Sequence, residues 1–400
     1  MINHQVHHHK FRTFSVLVLL SLWAGALTGC GGDKAEPDQA QTAAHCQASL
    51  DVSGWHAFTA LGDRLLAGQD VPRTDLEAYA LEPAVVVWRE SMLTLSPTPT
   101  KLGNWVEGAF WNEKSGDRKQ KLDADRYQYA ESLRLSYDHR ERINQLLEKF
   151  GQEGVCQTLE LARFWVDPEK MPSPFSVTLL PTKPELRSHA GQLIADTGML
   201  LAGGGPQLGR QIVGVLYRDV QAQQGKSPLD VEGATSIAQT VRVLMNEGTA
   251  AWIEDMPHTY FDPVHPRLGN VELIPETFYD RGRRAIEILN GALPRLLVDE
   301  DLMASRGREV SRSLLASGAM TKGGYCLAAT IVHHLGEERL RAVSRSPRDF
   351  LMAYQEAALQ NPQPLPTPGA IGVPLPETMP PLDPDAYQGL ASILEQTFAK

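Results

Sequence analysis

The chain has 400 residues, 42% of them hydrophobic, with 38 Lys and Arg against 48 Asp and Glu, a formal charge of −10 at pH 7. That acidic balance argues against a basic field for steering onto nucleic acid, so no nucleic-acid partner is expected. The length and apolar content suffice for a sizeable core in one large domain or two.

Lys10 and Arg12 form a positive n-region, residues 14–27 an apolar h-region too short to span a bilayer comfortably, and Thr28 and Gly29 place small residues before Cys30. Leu27-Thr28-Gly29-Cys30, closing that apolar run, resembles the site at which bacterial lipoproteins are cut and lipidated. The resemblance implies a signal peptide over 1–29 and acyl chains on Cys30. It also implies a membrane as partner through that anchor, each buried methylene adding about 0.8 kcal/mol. Gly31 rather than Asp follows Cys30. By resemblance to Gram-negative lipoproteins this implies the outer membrane, facing the periplasm, with the inner membrane or the cell surface as alternatives. His7-His8-His9 falls in the removed segment and carries no chemistry afterwards. Cleavage leaves 36 Lys and Arg against 48 Asp and Glu, a formal charge of −12.

Residues 30–45, rich in Gly, Ala, Gln, Asp and Pro, read as a lipidated flexible tether. A helical region is expected over 46–170. Within it Tyr127, Ala130, Leu133, Leu135, Ile143 and Leu147 recur at helical spacing across 123–150, and Thr74-Asp75-Leu76-Glu77 has the form of a capping box. A helix ending near Trp165 meets Asp167-Pro168, with Phe164 and Trp165 read as core packing. Two short β-branched runs, 175–180 and 192–196, read as strands. Gly203-Gly204-Gly205-Pro206 is expected to break the chain before a helix at 211–221; no Gly-Lys-Ser/Thr follows, so a phosphate loop is not indicated. Further helices are expected over 232–254, 275–297, 302–316, 322–335, 346–359 and 385–398, with a proline-rich strap over 361–384. The regions are thus 46–170, 171–360 and 361–400, and the fold class is mainly α with a small β-sheet (α+β). After Cys30, three cysteines remain, so at least one is unpaired. Cys46 with Cys156 is the expected bridge, since Cys326 lies in an apolar helical run that suits a buried thiol.

Three segments in order carry a second resemblance. They are Gln211-Ile-Val-Gly-Val-Leu-Tyr-Arg-Asp-Val-Gln221, Asn246-Glu247-Gly248-Thr-Ala-Ala-Trp-Ile-Glu254, and Lys322-Gly-Gly-Tyr325-Cys-Leu-Ala-Ala329 with a later Pro347-Arg-Asp-Phe350. Their order and spacing over 175–359 resemble a gluzincin-type zinc peptidase domain of the bacterial families known only as zinc-dependent proteases of unassigned function. The resemblance implies a zincin-like fold with the His-Glu-x-x-His helix at 211–221, a third ligand at Glu247, and Tyr325 donating to the oxyanion in an active member.

The motif itself is degenerate. Zinc peptidase chemistry needs two imidazoles one helical turn apart and a glutamate beside the first. Gly214, Val215 and Arg218 stand in those places, and no histidine occurs between His189 and His258. Arg218 stays charged and repels a cation. No metal ligand set and no cofactor are therefore expected, zinc entering only if replacement ligands exist. Arg218 is expected to pair with Glu247 in a cleft that also holds Asp219, Asn246 and Tyr325. The catalytic candidates are Glu247 and Tyr325, the latter read first as a packed core tyrosine. His333 and His334 should diverge by about 100° on a helix and take opposite faces. His258 and His265, flanking a loop with Asp262, read as loop hydrogen-bonding groups, and His189 stands alone. No Gly-x-Ser-x-Gly elbow is present. Three readings follow: a non-catalytic peptidase-like lipoprotein that binds a peptide or an envelope protein, an active metallopeptidase or other envelope hydrolase, or a structural envelope lipoprotein.

Overall fold

The computed structural model describes residues 46–92, 96–110, 124–182, 185–255, 275–360 and 379–398. The expected signal peptide, Cys30, the expected tether through residue 45, the residues from His258 through Asp262 to His265, and the expected strap through residue 378 lie outside the described residues. Among the described residues the fold is mainly helical with one four-stranded sheet, and no helix is long and apolar enough to cross a membrane.

Strands β1 (Ala48–Asp51), β2 (Phe175–Leu180), β3 (Leu186–His189) and β4 (Gln192–Asp196) form the sheet in the order β1-β2-β4-β3. β1 runs parallel to β2 with Ala48 opposite Phe175, β2 runs parallel to β4 with Ser176 opposite Gln192, and β3 is antiparallel to β4. Central β2 is buried at five of its six positions, which is why it reads as an apolar run rather than an alternation. The regions 46–170 and 171–360 share this sheet, because β1 comes from the first and β2 to β4 from the second.

Before β2 the chain forms α1 (Ser53–Leu66), α2 (Arg73–Tyr79), α3 (Pro83–Ser91), α4 (Pro99–Ala109), α5 (Ala124–Asp138) and α6 (Arg140–Trp165). Trp55, Phe58, Trp88, Tyr137 and Trp165 are all buried here, and Trp105 stacks on Tyr129 at 4.5 Å. The expected capping box does not form. α2 opens at Arg73 after Pro72, and Glu77 instead accepts from Arg73 Nε at 3.2 Å and Thr100 Oγ1 at 3.0 Å. The helical stretch over 123–150 is divided at His139. Cys46 and Cys156 are joined by a disulfide with Cα atoms 5.8 Å apart, and Cys326 is free and buried.

After β4 come α7 (Leu200–Ala222), α8 (Gly233–Ile253), α9 (Pro275–Leu296), α10 (Glu300–Ala316), α11 (Ala319–Leu335), α12 (Glu337–Val343), α13 (Pro347–Ala358) and α14 (Pro384–Phe398). The glycine run at 203–205 breaks the helical path as expected, non-helical backbone at Gly204 joining two segments of α7 across a kink. Gly204 takes φ 72°, and Pro206 enters the resumed segment near its start, where a missing N–H costs little.

α11 lies between α8 and α9 at two glycine crossings. A Cβ on Gly248 of α8 would stand 2.3 Å from the carbonyl carbon of Gly324, and one on Gly323 would stand 3.0 Å from the Gly282 backbone of α9. The Glu-Gly and Gly-Gly-Tyr segments are thus packing devices, letting backbones touch. The contact of α11 with α8 fixes Glu247 and Thr321 side by side.

Candidate functional site

Glu247 and Glu254 are seven residues apart, two turns of α8, and so share one face of it. That face looks toward α7 at Arg218. Arg218 Nε donates to Glu247 Oε2 at 3.0 Å, Nη2 donates to Glu254 Oε2 at 2.9 Å, and Nη1 donates to Glu254 Oε1. Thr321 Oγ1, from the first turn of α11, donates to the same Oε2 of Glu247 at 3.2 Å. The Glu254 side chain is 10% exposed, against 24% for Arg218 and 29% for Glu247.

Electrostatics follow from this packing. Burial alone would lower the Arg218 pKa, but the two carboxylates reverse that and raise it above its ordinary value. Burial pushes the Glu254 carboxyl up, opposed by its bonds to Arg218 and aided by the charge of Glu247. A bidentate guanidinium–carboxylate pair with a second carboxylate behind it leaves one net negative charge.

Sequence reasoning named Glu247 as the partner of Arg218. The closer, two-pronged partner is Glu254. The signal was Gly214: a Cβ placed there would lie 2.2 Å from Cγ of Glu254, so Glu254 fills the volume into which any side chain at 214 would project. The last turn of α8, which carries Glu254 just beyond it, is held by α7. Arg210 Nε donates to the Ile253 carbonyl at 2.8 Å and Gln207 to the Glu254 carbonyl at 2.7 Å, as cations and donors near helix C-termini commonly do.

None of the remaining candidates takes part in the hydrogen bonds that join Arg218, Glu247, Glu254 and Thr321. Asp219 bonds Ser188 of β3, on the sheet side of α7; burial raises its carboxyl pKa, opposed by that bond and by the Arg218 charge. Asn246 is buried. Tyr325 is enclosed by the rings of Trp252 at 5.9 Å and Phe278 at 5.8 Å, its hydroxyl has no hydrogen-bond partner among the described residues, and burial raises its pKa far above the ordinary phenol value. His333 and His334 do not take opposite faces: their rings meet edge to face at 4.8 Å in the last turn of α11. His189 lies 4.0 Å from Glu90.

A zinc ion, which the resemblance to peptidases implies, does not fit this donor set. Position 214 offers no donor, 215 an aliphatic side chain, and 218 a cation whose three donating nitrogens hold both available carboxylates. Among the described residues no group of three or more His, Cys, Asp or Glu is arranged to hold a metal ion.

Residues 222–363 match the model of a family described as "Putative zinc dependent peptidase (DUF5700)". The C-terminal part of the chain therefore carries a zinc-peptidase-like domain. Glu247, Glu254 and Tyr325 fall inside the matched span, while Gly214, Val215 and Arg218 precede it. No curated protein and no solved structure matches the chain.

Proposed function

We propose that this chain is a lipid-anchored, periplasm-facing outer-membrane protein whose zinc-peptidase-like domain is a non-catalytic binding module for a peptide or an envelope protein. The observation that carries the reading is the Arg218 guanidinium held by Glu247 and Glu254; in the sequence resemblance, which runs upstream of the matched span, position 218 is the one that would carry a metal-binding imidazole. A fixed cation there opposes a second one, and neither Gly214 nor Val215 supplies a base to activate water. The anchor and the compartment rest on residues 10–31 of the sequence.

Metal analysis and peptide hydrolysis assays on the mature chain, residues 30–400 with Cys30→Ser, test the reading together. The expected result is substoichiometric zinc and no hydrolysis that a chelator abolishes. Stoichiometric zinc, lost along with hydrolysis in Glu247→Ala, would overturn the reading in favour of an active metallopeptidase.

A further inference from the structure

Helices α6 and α7 pack together, and each is interrupted by a glycine with positive φ, Gly151 at 38° and Gly204 at 72°. Such backbone is strained for any other residue and clusters where function needs a local opening. Beside the two kinks lies a groove of about 530 Å³, within the range of small-molecule sites. Leu146, Phe150 and Leu161 form one wall, and Pro206 closes the other. Its floor is glycine by necessity. A Cβ on Gly205 would stand 2.7 Å from the Phe150 ring, and one on Gly209 would stand 2.7 Å from Thr158 Oγ1.

The polar groups along the groove are answered internally or are positive. Thr158 donates to the Gly154 carbonyl at 2.7 Å, and Gln157 donates to Glu153 at 3.3 Å. Lys149 and Arg210 are the charged residues that line it, and no carboxylate does, although acidic residues outnumber basic ones 48 to 38 in the chain. Lys149 has no ion-pair partner among the described residues. An apolar trough with cations and no anions complements a ligand with one negative head and one hydrocarbon tail. A cationic chain would meet two like charges.

We propose that this groove binds a long-chain carboxylate, with the alkyl chain along Phe150, Leu161 and Pro206 and the head group at Lys149. The site is separate from the Arg218 cluster and does not depend on the reading given for it. The probe is dodecanoate, titrated calorimetrically below its micelle concentration into residues 30–400 with Cys30→Ser, beside dodecyltrimethylammonium as the cationic counterpart. One saturable site is expected, with the cationic chain at least about tenfold weaker. Lys149→Glu should remove that preference, and Gln157→Trp, which fills the mouth from an exposed position, should weaken both chains at least about tenfold with the thermal midpoint unchanged. Absence of saturable dodecanoate binding, or wild-type affinity in Gln157→Trp, overturns the site. Equal affinity for the two chains, or an unchanged preference in Lys149→Glu, overturns the assignment of a carboxylate.

Discussion

Arg218 and Glu254 meet fork to fork, in space that exists only because residue 214 has no side chain. Removing Glu254 leaves a half-buried guanidinium with only Glu247. Glu254→Ala should therefore lower stability by about 3 kcal/mol, the low end of the range for breaking a buried pair because Arg218 retains some solvent contact. Glu247→Ala, at the more exposed carboxylate, should cost about 1 kcal/mol. Urea unfolding measures both, and neither loss should change with added zinc or chelator.

Gly214→Ala tests the same relationship from the other side. The added methyl would collide with Cγ of Glu254, and the flexible carboxylate arm would have to move, at about 1–3 kcal/mol. In the double variant with Glu254→Ala there is nothing left to displace. The double variant should lose less than the sum of the two single losses in a double-mutant cycle.

The crossing of α8 and α11 gives a sharper steric prediction, because backbone and not a side-chain tip stands in the way. Gly248→Ala should cost about 3 kcal/mol or more in thermal or urea unfolding. Gly291→Ala on α9 is the control: a Cβ there meets nothing within 4 Å, and the substitution should stabilise the helix by about 0.5–1 kcal/mol.

Most helices of the second half were legible because they have a long apolar face and a clear stop, as α8 does between Glu232 and Glu254. β1 was not: Ala-Ser-Leu-Asp is too short for a period, and its partner lies 127 residues on. β3 and α12 fail for the same reason of length. The capping box at Thr74 was overridden by Pro72, which takes the N-cap position two residues earlier. At the site, residue identity showed only that 214, 215 and 218 carry neither an imidazole nor a carboxylate. Seeing what fills the gap required the two-turn spacing from Glu247 to Glu254 combined with the glycine opposite, a relation between helices that no single segment displays.

His334 supplies a pH test. Burial first, then the neighbouring His333, lowers its pKa from the ordinary 6.5, while a bond to Gln360 opposes them. The unfolded chain then binds the proton more readily than the folded one between the lowered pKa and 6.5. This contribution to stability is present above pH 6.5 and is lost as pH falls through the folded value. His334→Gln should flatten that part of the dependence of the thermal midpoint on pH, and an unchanged slope would show that His334 does not titrate there.

Lipid attachment at Cys30 predicts that fatty-acid label incorporated during growth marks the wild-type chain and not Cys30→Ser. Labelling of the variant would move the modification elsewhere.

The cross-link between Cys46 and Cys156 has a mechanical consequence. β1 begins two residues after Cys46 and is an edge strand of four residues, paired on one side only with β2. A pull arriving along the chain from its N-terminal side would, without the cross-link, act directly on that edge and unzip it one hydrogen bond at a time. With Cys46 tied to α6 beyond its kink at Gly151, the load passes into that helical segment before it reaches Ala48, and the strand is left slack.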